Sequence, residues 1–455
     1  MEDLHSKKAI RSEINRIAGP VFIELLMGTL FGMVDMIMLG NFGNNATSAA
    51  GIASVGITNQ LILIGLSLVQ SLNIGATAMI ARYIGGHRQD KVESVVKHII
   101  LLTQIFLAVP IVILGISFAP TIMKFLGAHP DTIAIGSSYF RVIIMGFVFQ
   151  AFNFSIFASL RGAGDTKTPM KINILVNLLN VFGNLILIYG LFGLPALGVT
   201  GAGISTALSQ VVATVLCLRY IFKKDSTIHI NLKKKFKIQK DIIYNLVKIG
   251  VPASLEQIAM RVGILLFIRI VASLGTVAYA THQIAINILS LSFTPGQAFG
   301  IAAATLTGRS LGSKDSKLAE KYIKSCSKIG SFASAIMGLI FFFFGGAIAS
   351  LYTNDPEVIK QAGDILKLIA IIQPFQSSSL IVAGGLRGAG DTIFTLVSTF
   401  IGILIVRVAI AYYLVMIAGM GLIGAWIAVM IDQFIRWILV NYRFRTGKWK
   451  YIVIR

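Results

Sequence analysis

Leu160-Arg-Gly-Ala-Gly-Asp-Thr166 recurs without change as Leu386-Arg-Gly-Ala-Gly-Asp-Thr392. An identity of seven residues does not arise by chance, so either the chain is duplicated or one site is used twice. The surroundings decide. Each copy lies between long apolar blocks, and the 455-residue chain is 55% hydrophobic and only 13% charged, too apolar for an ordinary soluble protein. A helix needs about 20 apolar residues to cross a bilayer. Twelve blocks qualify, near 14–38, 50–78, 94–118, 134–160, 169–191, 198–222, 246–273, 279–305, 325–351, 361–386, 393–416 and 420–442. Lipid leaves no partner for an open backbone amide, so such spans must be helices. The alternation of barrel strands is missing. The expected class is an all-α membrane protein with twelve transmembrane helices.

The net charge of +21 raises the question of nucleic acid. Its distribution answers it. Lys7, Lys8, Arg11 and Arg16 precede the first span, Lys233, Lys234, Lys235 and Lys237 lie mid-chain, and Arg443, Arg445, Lys448 and Lys450 follow the last span. The opposite connections, Asn41 to Ala49 and Gly275 to His282, carry no formal charge. This asymmetry predicts a multi-pass protein of the cell (inner) membrane with both termini in the cytoplasm. No soluble module exists to hold nucleic acid. The first apolar block is too long for a cleavable signal and contains Asp35. Cys217 and Cys326 lie in or beside spans and imply packing rather than a disulfide framework.

Six spans separate the two LRGAGDT copies, so both face the same side. Other pairs keep a similar offset. Pro20-Val-Phe-Ile-Glu24 is echoed by Pro252-Ala-Ser-Leu-Glu256, Ala81-Arg82-Tyr-Ile-Gly85 by Gly308-Arg309-Ser-Leu-Gly312, and Gly198-Val-Thr-Gly-Ala202 by Gly421-Leu-Ile-Gly-Ala425. The expected organisation is an N-terminal six-helix lobe (1–222), a basic cytoplasmic linker (223–245), a C-terminal six-helix lobe (246–442) and a basic cytoplasmic tail (443–455). The lobes would be related by a pseudo-two-fold axis along the membrane normal, a recurring plan for transporters. LRGAGDT itself reads as a turn made twice. Its glycines end a helix, Asp165 or Thr168 caps the next one, and Pro169 suits the first turn.

These motifs resemble those of the multidrug and toxic compound extrusion (MATE) family over nearly the whole chain. The resemblance rests on Gly19-Pro20 with Glu24, Asp35, both LRGAGDT turns, the run from Asn180 to Gly190, the start of span six, and His282-Gln283-Ile-Ala-Ile-Asn287. It implies two lobes, a central cavity, and export of organic cations in exchange for sodium ions or protons. Where family members carry acids in spans five and ten, this chain has Asn184 and Ser377 or Ser378, which leaves the coupling ion open.

Four acids lie well inside spans: Glu24, Asp35, Glu256 and Asp432. A charge there costs a few kcal/mol on insertion scales, so each should face protein or water. Asp35 and Glu256, with Asn180 and Asn184, are the expected cation- or proton-coupling residues, Glu256 also as a sodium ligand beside Gln283. Asn173, Asn177, Asn180 and Asn184 form one stripe along span five, suited to span packing or to a binding wall. Asp35, Asn177, Asn153, Gln283, Asn287 and Phe154 are the expected substrate contacts. Arg141, Arg261, Arg407 and Arg436 would neutralise acids within their own lobes: Arg141 with Asp35, Arg407 with Asp432, Asp432 with Arg436 at i,i+4, and Arg261 with Asp432 or helix carbonyls.

No P-loop or Cys/His metal spacing is present, so neither enzymatic chemistry, a cofactor nor ATP is expected. The expected partners are small-molecule drugs and the lipid bilayer. The leading function is secondary active efflux of mostly cationic compounds by alternating access. A lipid-linked oligosaccharide flippase of a related superfamily branch is the alternative, favoured by the deep arginines; a receptor or scaffold lacks any sizeable extramembrane part.

Overall fold

The computed structural model describes residues 6–40, 45–128, 130–231 and 236–454. These form twelve long helices: α1 (Lys7–Gly40), α2 (Asn45–Gly85), α3 (Gln89–Ser117), α4 (Pro130–Gly162), α5 (Lys167–Tyr189), α6 (Gly198–Ile221), α7 (Lys240–Ala272), α8 (Thr276–Gly312), α9 (Ser316–Ala349), α10 (Pro356–Gly388), α11 (Thr392–Ile417) and α12 (Gly421–Thr446). A short helix, Ala119–Phe125, follows α3. No strand occurs among the described residues. Eleven of the long helices are apolar enough to cross a membrane. The other, α7, is 33 residues long and contains Glu256, Arg261 and Arg269. The uncharged stretch at 41–44 and Lys233 to Lys235 fall outside the described residues.

Both LRGAGDT copies take the same conformation. Gly164 and Gly390 have φ of 85° and 90°, the left-handed region that glycine enters without a Cβ penalty. The Asp165 amide donates to the Leu160 carbonyl at 2.9 Å and Gly164 to Arg161 at 2.9 Å; Asp391 to Leu386 and Gly390 to Arg387 repeat this at 2.8 and 2.9 Å. These are the two bonds of a Schellman cap, which satisfy carbonyls the helix end leaves open. Asp165 Oδ1 accepts the Thr168 amide at 3.0 Å and so opens α5. Gly162 serves packing instead: a Cβ there would meet the Thr77 carbonyl at 2.8 Å, and one on Gly388 would overlap that of Ala304.

The chain divides into two compact units. One comprises Ile23–Ile80 and Arg88–Leu246; the other comprises Met1–Phe22, Ala81–His87 and Val247–Arg455. The first is centred on Val69, Met123, Phe140, Ile144 and Phe147. The second has a core around Phe267, Phe341, Leu366 and Trp426. It also includes the start of α1, where Ile10, Ile14, Ile17 and Ala18 bury against α8 and α9. That spacing keeps the four on one helix face, which is why α1 begins well before the apolar block.

The C-terminal tail is not merely a solvated basic segment. After Gly447, in the left-handed region, Trp449 is fully buried, stacks on Phe444 and donates from Nε1 to the Phe444 carbonyl at 3.0 Å. Arg82 donates to the Ile452 carbonyl at 2.8 Å.

Candidate membrane-embedded carboxylate site

Glu24 and Glu256 occupy matched positions on α1 and α7 and have matched partners. Arg161 of the first LRGAGDT donates to Glu24 Oε1 at 2.6 Å, and Asn173 of α5 donates to the same oxygen. Arg387 of the second LRGAGDT donates to Glu256 Oε1 at 2.5 Å, with Thr395 and Thr399 of α11 at 2.9 and 3.1 Å. Thr399 lies as far beyond Arg387 as Asn173 lies beyond Arg161. Both carboxylates are buried. The repeated arginines therefore do more than end a helix: each reaches back to neutralise the repeated glutamate. Glu256, expected as a coupling residue and sodium ligand, thus has its charge balanced by Arg387. Gln283 is not among its partners; it donates to Tyr279 at 2.8 Å, and Asn287 is exposed. No cluster of three or more His, Cys, Asp or Glu side chains suited to a metal occurs among the described residues.

Asp432 is completely buried and shared by two arginines. Arg407 donates to Oδ2 from Nε and Nη2 at 3.0 and 2.5 Å, and Arg436 donates from Nε to Oδ1 at 2.9 Å. Arg436 also reaches Gln433 at 2.7 Å, and the Arg407 guanidinium lies over the Phe267 ring at 5.7 Å. With its oxygens taken by these two, Asp432 is not the partner of Arg261. Two further sequence expectations change. Arg141 is exposed and forms no ion pair with Asp35 among the described residues. Asn153 is buried and fully engaged, donating to Gln210 at 3.0 and 3.1 Å and accepting from Thr214 at 2.9 Å, which removes it from a binding surface. Phe154 packs against the core of its own unit.

Asp35 differs from the other three acids. Asn184 donates to its Oδ1 at 2.7 Å. With the Asn180 amide turned to satisfy both its ends, Asn180 donates to Oδ2 at 3.0 Å and accepts from Thr206. No lysine or arginine pairs with Asp35 among the described residues, and its side chain is only half-buried. The asparagine stripe thus serves both acids of α1, Asn173 at Glu24 and Asn184 at Asp35. Both pairs are 149 residues apart, so α1 and α5 run parallel in register. Asn177 joins neither, bonding to the Asn173 carbonyl at 2.8 Å.

Sequence reasoning missed Ser205 and Thr206, which hold Asn180 from α6; neither belongs to the repeated motifs. It also gave no role to His282 beyond its place in a motif. His282 is fully buried between Phe267 and Trp426, and neither ring nitrogen has a hydrogen-bond partner.

The MatE family model matches residues 20–186 and 252–413, one match in each half. A probable multidrug resistance protein NorM of Thermotoga maritima is 32% identical over 450 residues, covering 97% of this chain and 93% of that protein. An uncharacterized transporter, YisQ, of Bacillus subtilis is 28% identical over 432 residues, covering 94% of this chain and 93% of that protein. A solved outward-facing multidrug resistance MATE family transporter shares the fold, with a TM-score of 0.88 at 24% identity over 96% of this chain and 97% of that one. One match to the family model in each half, with a relative 32% identical over 97% of the chain, places this chain in the MATE family of multi-pass membrane transporters.

Proposed function

We propose that the chain exports organic, mostly cationic, compounds across the cell membrane in exchange for sodium ions or protons, with both termini in the cytoplasm. Asp35 is the carboxylate for which ion and substrate compete. One observation carries this reading: of four membrane-embedded acids, three are held by arginine and Asp35 is held by neutral amides. Amide donors fix the orientation of a carboxylate without cancelling its charge. In a low-dielectric setting that charge attracts a proton, a sodium ion or an organic cation far more strongly than in water. Occupancy by one lowers affinity for the others, and the effect is reciprocal. Rocking of two related halves about such a site gives alternating access.

The test is drug export by membrane vesicles under separately imposed sodium and pH gradients. Asp35→Asn keeps the side chain's shape and removes its charge, and is expected to abolish gradient-driven export. Full export by that variant would refute the assignment. The excess of positive charge at Arg407, Asp432 and Arg436 favours a second reading, export of anionic compounds or flipping of lipid-linked oligosaccharides. Export of anions that survives Asp35→Asn and fails in Arg436→Gln would put it ahead.

A further inference from the structure

The central linker is anchored to α3 by a set of polar contacts. The Gln239 amide donates to Nε2 of the buried His98 at 2.9 Å, and the Asn231 amide donates to Glu93 Oε1 at 2.9 Å. Lys97 donates to the Asn231 carbonyl at 3.2 Å and pairs with Glu93 at 2.8 Å. Phe236 then lies against His98, ring centroids 4.9 Å apart. Between Phe236 and α3 runs a groove of about 320 Å³ lined by Lys97, Ile100, Leu101, Gln104 and Ile105. These positions share one helix face. A smaller polar pocket of about 180 Å³ adjoins it, sharing Lys97 and Phe236 and adding Lys237.

We infer that this groove binds an anionic phospholipid, its phosphate at Lys97 and Lys237 and an acyl chain along Ile100, Leu101 and Ile105. The inference rests on the proposed orientation, which puts this end of α3 at the cytoplasmic leaflet. Charge complementarity selects the occupant. From Lys223 to Lys240 the linker carries seven lysines and one aspartate, the kind of basic segment that attracts anionic lipid beside a membrane helix. Asp90 and Glu93 also line the polar pocket, but Glu93 is engaged by Lys97 and the Asn231 amide. Lys237, Phe236 and Ile238 are exposed, so the linker presents charge and apolar surface together. A soluble anion leaves the apolar wall unused, and a neutral lipid leaves the lysines unused.

Native mass spectrometry of the purified full chain, titrated with phosphatidylglycerol or phosphatidylcholine of matched chains, tests this. Phosphatidylglycerol is expected to bind about tenfold more tightly, with a preference that falls as salt rises. Lys237→Gln, at an exposed position that leaves the linker contacts intact, should reduce the preference severalfold, and Lys97→Gln/Lys237→Gln should abolish it. Ile100→Gln/Ile105→Gln should weaken both lipids. Equal binding of the two lipids by the wild type would overturn the site, as would displacement of the lipid by glycerol 3-phosphate at equal concentration, which marks an anion site without an acyl groove. Lipid binding is read without transport, so failure of the Asp35 assignment would leave this result standing.

Discussion

At the scale of single residues, internal duplication separates structural charge from functional charge. Asp35 lies eleven residues after Glu24, and Phe267 lies eleven after Glu256. The glutamate–arginine pair is thus kept in both halves, while the acid beyond it exists in one. Breaking a buried pair leaves an uncompensated charge, so Arg387→Ala is expected to cost about 3 kcal/mol. Replacing both partners, as in Glu256→Leu/Arg387→Leu, should restore most of that loss in denaturation of the purified protein. Glu256→Gln should leave the sodium and pH dependence of export unchanged; altered dependence would return Glu256 to the coupling machinery. The acids and the asparagine stripe were legible in the sequence because helical periodicity and membrane cost single them out. Their partners were less so. The Glu24–Arg161 link spans 137 residues, and periodicity within one helix gives no information about which face meets another. The repetition of both residues was the one signal that pointed to it. Arg141 was paired with Asp35 on depth alone, and depth does not fix direction around a helix.

At the scale of elements, long apolar blocks in the sequence located the twelve long helices of the described residues, eleven of them apolar enough to satisfy their backbone within lipid. It misjudged their ends. Both α1 and α12 extend past their apolar blocks, and the residues after α12 fold back to bury Trp449, because packing rather than hydropathy sets these limits. The two glycine roles in LRGAGDT predict distinct costs. Nothing lies within 4 Å of a Cβ on Gly164, so Gly164→Ala pays only for left-handed backbone, about 1–2 kcal/mol. Gly388→Ala meets the Ala304 carbonyl and should cost more, since a helix must shift. Trp449→Ala should cost about 3–5 kcal/mol, a loss that a merely solvated tail would not show. Thermal unfolding of the three variants side by side checks the order. Gly164→Ala as the most damaging of them would contradict it.

For the whole molecule, a duplicated transporter invites the expectation of two coupling sites, and the divergence between the halves argues for one. Asn180 lies nineteen residues past Arg161, and Arg407 lies twenty past Arg387. The intervening π-helical segment, Phe400–Arg407, has wider turns than an α-helix, and one inserted residue brings Arg407 to the place of Asn180. Where the first half sets amides around a carboxylate, the second sets a guanidinium over Phe267 and binds it to Asp432. Arginine stays protonated in proteins, so the second half carries a permanent cation and has none to load. The expected exchange is one sodium ion or proton for each monovalent drug cation, with no net charge moved. In proteoliposomes, an imposed membrane potential should then leave the rate of export unchanged while an ion gradient drives it. Export driven by potential alone would require a second coupling charge.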